Sequence, residues 1–208
     1  MMFSRKVYHF DLLLILVVYI TGIVGIRLLP EYFLKVCFVS IIIPLGLYFY
    51  RLKPKLFDIL IISLVYVITF LSEWIGVNYG WLFGTYVYGD SLGFKIGGVP
   101  LLIGANWLLL ALVSRQIAIS FIKNKWFVFL VSSLIMVFID FLIEPLADQL
   151  NFWSWDNGNI PFSNYRDWFI IAFINQWILS FTSLNNNLFV WSFSYVLILV
   201  FFFSSFYL

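Results

Sequence analysis

The sequence predicts an all-α integral membrane protein, a bundle of about seven transmembrane helices with two motif-bearing outer loops, and three observations carry that prediction. Of its 208 residues 63% are hydrophobic, 22% aromatic and only 11% charged, where soluble domains carry about 25% charged residues. Mean hydropathy is +1.03. At about 20 residues per membrane crossing, this length leaves no room for a sizeable water-soluble domain beside the helices. Residues 1–208 are therefore expected to form one polytopic membrane domain.

Long apolar runs place crossings near residues 10–27, 33–51, 56–76, 98–120, 126–144, 168–184 and 188–208. The first run is too long for a removable signal peptide and lacks a small-residue cleavage site, so it is expected to stay. Gly97-Gly98-Val99-Pro100 leads into the fourth run. The asparagines at 185–187 are expected to mark a tight interfacial turn before the last one, and the phenylalanines at 201–203 to face lipid. With the loops assigned alternately, one side collects Arg5, Lys6, Arg51, Lys53, Lys55, Arg115, Lys123 and Lys125, and the other Arg27, Lys35, Lys95 and Arg166. Cytoplasmic loops carry the excess of Lys and Arg. The N-terminus is thus expected in the cytoplasm and the C-terminus outside, with the two longest loops, 77–97 and 145–167, together on the outer face.

Composition also removes chemistries. With one histidine, His9, and one cysteine, Cys37, the chain lacks the ligands for a structural zinc, a histidine-rich di-iron centre or a bis-histidine haem, and it cannot form an internal disulfide. A net charge of +2 with scattered basic residues gives no footprint for nucleic acid. The last run contains no lysine for a retinal Schiff base. No Walker-type glycine loop and no aspartate-rich pair spaced for magnesium diphosphate occurs. No metal or organic cofactor is expected.

Carboxylates inside membrane spans are costly and mark function by default. Glu73 lies near the end of the third run, and Asp140 and Glu144 in the outer half of the fifth. The spacing of Asp140, Glu144 and Asp148 by four places them on one helical face if the helix continues past Pro145. Like-charged carboxyls held together in a low dielectric cannot all ionise, so at least one should keep its proton and serve as a general acid. The alternative is that they bond to Asn, Trp or Tyr donors and only join helices. The loops add Tyr86 and Tyr88 among glycines, then Trp153 and Trp155, Asn164, Tyr165 and Trp168. Indole and phenol faces attract cations, so such a lining suits a carbocation or an apolar polyene. As separate residues the same aromatics would make an interfacial belt.

The order Glu73-x-x-Gly76, Phe83-Gly84-x-Tyr86-x-Tyr88, Gly98-Val99-Pro100 and Trp107, then Asp140-x-x-x-Glu144-Pro145, Trp153-x-Trp155, Ile160-Pro161-x-x-Asn164-Tyr165 and Trp168, resembles the membrane carotenoid-biosynthesis family. That family includes the CruF-type carotenoid 1,2-hydratases and the bisanhydrobacterioruberin hydratases. Asp167 stands where the family commonly has glycine. The resemblance implies a cofactor-independent hydratase of a bacterial or archaeal cell membrane. Its substrates would be an acyclic carotenoid and water, and its partners the lipid bilayer and other enzymes of the pathway. Asp140 or Glu144 would protonate the terminal double bond, Glu73 would support the site or orient water, and Asn164 would be a polar partner. Tyr86, Tyr88, Trp153, Trp155, Tyr165 and Trp168 would complete the pocket. Two other readings use the same parts: a carotenoid-end cyclase of the lycopene type, and a non-catalytic carotenoid or lipid carrier or a transporter. A transporter would more often show inverted repeats with broken helices.

Overall fold

The computed structural model describes residues 8–156, 158–184 and 188–207. Among them the chain is a bundle of long helices with four very short strands at one end. Helix α1 (His9–Leu28) buries Asp11, Ile15 and Tyr19 at four-residue spacing and leaves Leu13, Val17, Ile20 and Val24 exposed. This is the outward apolar face that a bilayer solvates. A short α2 (Pro30–Phe33) and a 3₁₀ turn (Leu34–Val36) lead into α3 (Val39–Leu52). Helix α4 (Leu56–Tyr79) begins with Asp58, whose carboxylate accepts the Lys55 N–H at 3.0 Å and the Ser183 N–H at 2.7 Å. That carboxylate caps the helix and ties it to the chain after α7.

Helix α5 (Leu101–Ile119) is the axis of the bundle, buried over most of its length and packed against α3, α4, α6, α7 and α8. Helices α6 (Lys125–Ile143), α7 (Phe162–Leu179) and α8 (Phe189–Ser204) surround it. Among the described residues six helical stretches are long and apolar enough to cross a membrane: His9–Leu28, Pro30–Leu52, Leu56–Tyr79, Leu101–Ile119, Lys125–Leu146 and Phe189–Tyr207. Helix α7 spans 18 residues but is not among them. It carries Asn164, Arg166, Asp167, Asn175 and Gln176, and of these all but Arg166 are buried in the bundle. At the end opposite the strands, Arg51 of α3 holds Asp11 of α1 through two bonds of 2.7 and 2.8 Å, and Trp191 of α8 adds a third at 3.3 Å.

The two long loops meet. Strand β1 (Tyr86–Tyr88) pairs antiparallel with β4 (Trp153–Trp155), in the register Tyr86 with Trp155 and Tyr88 with Trp153. Strands β2 (Lys95–Ile96) and β3 (Val99–Pro100) form a hairpin, with φ of +57° at Gly97 and +82° at Gly98. This hairpin delays α5 to Leu101.

Three expectations are corrected: the start of the run at 168, the shared face of Asp148, and the lipid-facing phenylalanines, since Phe201 is 58% exposed but Phe202 and Phe203 only 6% each. Helix α7 begins at Phe162, six residues before the expected start at 168, so Asn164, Tyr165 and Trp168 are helical. Helix α6 gives way at Glu144 to a 3₁₀ turn (Glu144–Leu146) containing Pro145, whose ring and missing N–H cannot continue the ladder. Asp148 is consequently exposed and bonds to Ser154 rather than extending the Asp140 and Glu144 face. The turn expected at 185–187 and the basic pair Arg5 and Lys6 lie outside the described residues.

Candidate active site

Strand alternation places every second side chain on one face. Tyr86 and Tyr88 therefore point inward while Val87 is exposed, and Trp153 and Trp155 point the same way from the partner strand. The result is a small aromatic sheet whose polar tips converge on the bundle. Glu73 of α4, 3% exposed, meets it from one side. Its Oε2 accepts the Tyr86 hydroxyl at 2.5 Å and the Tyr88 hydroxyl at 2.7 Å, and its Oε1 accepts the Trp107 indole N–H at 2.9 Å. Glu144, 4% exposed, meets the sheet from the other side. Its Oε2 accepts the indole N–H groups of Trp153 at 3.1 Å and Trp155 at 2.8 Å, and its Oε1 accepts the Asn164 amide at 2.6 Å. Each strand thus serves one carboxyl.

Asp140 lies one turn below Glu144. Its Oδ2 accepts the second hydrogen of the Asn164 amide nitrogen at 3.0 Å, and its buried Oδ1 has no partner among the described residues. The ion pairs recorded there join Arg51 to Asp11, Lys95 to Asp90 and Arg166 to Asp167. None neutralises Glu73, Asp140 or Glu144. Burial, then the adjoining Glu73 carboxyl, pushes the phenols of Tyr86 and Tyr88 well above 10. Both remain neutral hydrogen-bond donors across the physiological range. No group of three His, Cys, Asp or Glu side chains fit to hold a metal occurs among the described residues.

Glu73, Glu144, Asn164, Tyr86, Trp155 and Trp168 line one narrow cavity, with room for about one water molecule. Tyr88 and Trp153 also border it, whereas Tyr165 does not: its half-buried ring packs on Phe141, 5.8 Å between centroids. Asp140 lies behind Asn164 and does not reach the cavity wall.

Several contributors were named from the sequence only as parts of the family motif, with no role in the site. Trp107 stacks on Trp168 at 3.6 Å and 16° while bonding Glu73. It lies about 9 Å into α5 at 1.5 Å per residue, too deep for an interfacial belt, and that depth was the available signal. Phe83 also lines the cavity, in a left-handed conformation with φ of +66°. Asp167 holds its N–H at 2.8 Å and Ser163 its carbonyl at 3.0 Å, so two side chains of α7 fix a backbone that L-residues rarely adopt. Gly76 permits the fold-back, since a Cβ there would lie 2.9 Å from the Phe83 ring and 3.0 Å from the Tyr86 hydroxyl.

A family described as carotenoid biosynthesis protein matches residues 32–208. Among curated proteins, a bisanhydrobacterioruberin hydratase from Haloarcula japonica is similar to this chain, with 29% identity over 112 residues. The similarity covers 47% of this chain and 36% of that protein, so the match spans about a third of the relative's length. No solved structure matches.

Proposed function

Because this chain belongs to the carotenoid biosynthesis protein family, we propose that it is a hydratase that adds water across the terminal carbon–carbon double bond of an acyclic carotenoid. The observation that carries the reading is the pair Glu73 and Glu144, which face one water-sized cavity walled by aromatic rings and, among the described residues, have no cation to neutralise them. The similarity to a protein named as a hydratase supports it.

Glu144 is the proton donor in this scheme. It borders the cavity, whereas Asp140 stands behind Asn164. Two carboxyls bridged by one amide and unpaired with any cation retain a proton between them. Transfer of that proton to the CH carbon of an isopropylidene end forms a C–H bond and leaves a tertiary cation. The faces of Trp155, Tyr86 and Trp168 border that position and stabilise positive charge. A water held by Glu73 attacks the cation, forms the C–O bond and gives its surplus proton to the carboxylate. The product is a tertiary alcohol, with no redox change. Burial of these groups keeps bulk water out, and a positioned acid contributes about 10²- to 10⁴-fold.

Hydration is preferred over cyclisation because the similar curated protein is named as a hydratase. We further place the strand-bearing end of the bundle at the outer membrane face, with the N-terminus in the cytoplasm, from the eight-to-four division of Lys and Arg among the loops. Expression in a lycopene-accumulating host tests the reaction. Pigments heavier by one water per modified end are expected. Rearranged pigments of unchanged mass would indicate a cyclase, and unchanged lycopene would indicate a carrier.

A further inference from the structure

Two larger apolar cavities run from the carboxyl chamber toward the lipid-facing side of the bundle. The first shares Ile103 and Trp153 with the chamber and continues between α1, α5, α6 and α8. The second lies between α1 and the α2–α3 segment, shares Tyr19, Ile26, Cys37, Ser40 and Phe202 with the first, and reaches Val17 and Val36, which are 52% and 46% exposed on the outside of the bundle. Their volumes open to a water-sized sphere are about 50 and 230 Å³, against about 10 Å³ for the chamber.

Four polar side chains along this path are turned into the protein. The Tyr19 hydroxyl donates to the Ser40 carbonyl at 2.9 Å, the Ser40 hydroxyl to the Cys37 carbonyl at 2.6 Å, and the Cys37 thiol to the Ser91 carbonyl at 2.6 Å. Trp153 spends its N–H on Glu144. Most of what faces the path is carbon, the half-buried amide of Asn106 and the exposed Thr21 being polar side chains on its walls. A closed polar lining with an apolar surface selects a ligand without hydrogen-bonding groups of its own.

We propose that this path is the binding site for the body of a linear polyene, which enters from the bilayer between α1 and α3 and passes Ile103 and Trp153 to present its end to Glu144. The proposal rests on the hydratase reading only for what happens at that end; its own content is a long hydrocarbon threaded laterally from lipid. Gly22 stands at the mouth, where a Cβ would lie 3.4 Å from the Phe202 ring.

The test uses the full chain in nanodiscs, with lycopene binding read from its shifted absorption bands, which require no turnover. Gly22→Phe, and independently Val36→Trp from the opposite wall, are expected to weaken binding at least tenfold, while Gly22→Ala changes it less than twofold. Cys37 is the one cysteine of the chain and borders both cavities. Its alkylation by N-ethylmaleimide in the unaltered protein should slow at least fivefold when lycopene is added, a readout that survives any failure of the variants to fold. Unchanged binding in both plugged variants, an unchanged alkylation rate, or displacement of lycopene by an equal concentration of oleate would overturn the proposal, the last by making this an acyl-chain site. Lycopene bound in the path but never hydrated would leave it standing and remove the hydratase reading instead.

Discussion

Tyr86 and Trp155 are cross-strand partners with ring centroids 5.1 Å apart, and one donates its hydroxyl hydrogen to Glu73 while the other donates its indole hydrogen to Glu144. A single backbone pairing therefore fixes the separation of two carboxyls that arise from different helices, 71 positions apart in the chain. Disturbing either strand should affect both acids together.

Glu144→Gln keeps the side-chain length and one oxygen to accept the indole N–H groups, but cannot donate a proton to carbon. We expect at least a hundredfold loss of product per unit of protein, with membrane insertion unchanged by fractionation and blotting. Glu73→Gln should also lose activity, and in both variants some stability, because an amide cannot accept on its nitrogen where Trp107 or the tyrosines donate to Glu73 and Asn164 or the tryptophans to Glu144.

Tyr88→Phe removes one of three donors to the buried Glu73 carboxyl and should destabilise by about 1.5–3 kcal/mol, the range for hydrogen bonds to charged groups. Trp107→Phe should cost about as much while keeping an aromatic stack on Trp168. Thermal unfolding of the detergent-solubilised protein measures both, and a midpoint equal to wild type in both variants would mean that Glu73 is solvated in another way.

Asp167→Ala should release Phe83 from its left-handed conformation, at a cost of about 1–2 kcal/mol. Asp167→Asn retains an oxygen to accept the Phe83 N–H and should stay within about 0.5 kcal/mol of wild type. Equal losses in the two variants would show that the Arg166 ion pair, at 2.7 Å, is what matters at this position.

Arg51→Met leaves the Asp11 carboxylate with only Trp191 in a site of zero exposure. Breaking such a pair on one side costs more than replacing both partners by apolar groups. The unfolding midpoint should fall in Arg51→Met and recover in the double variant Asp11→Leu with Arg51→Met. A double variant no better than the single one would refute this.

Most helices were legible because an apolar run about 20 residues long has little else to become in a chain of this composition. Helix α7 was read late for the opposite reason. Its first turns carry Asn164, Arg166 and Asp167, which resemble loop residues, yet Asn164 and Asp167 are polar because they serve Glu144, Asp140 and Phe83. The strand pair was not legible: each strand has three residues, the partners are separated by 65 to 69 positions, and alternation in Tyr86-Val87-Tyr88 or Trp153-Ser154-Trp155 also suits an interfacial belt. The three carboxyls were picked out by their cost in a span together with the family motif, whereas Asp11 and Asp58, also buried within expected runs, were passed over. Asp148 was grouped with Asp140 and Glu144 on spacing that Pro145 interrupts.

The most direct test of the account is turnover in water enriched in oxygen-18 by the purified chain supplied with lycopene, with Glu144→Gln run beside it. The account predicts one heavy oxygen in each tertiary alcohol formed by wild type, and none formed by the variant. Pigment lacking the label, or labelled alcohol at equal rates from both proteins, would contradict it.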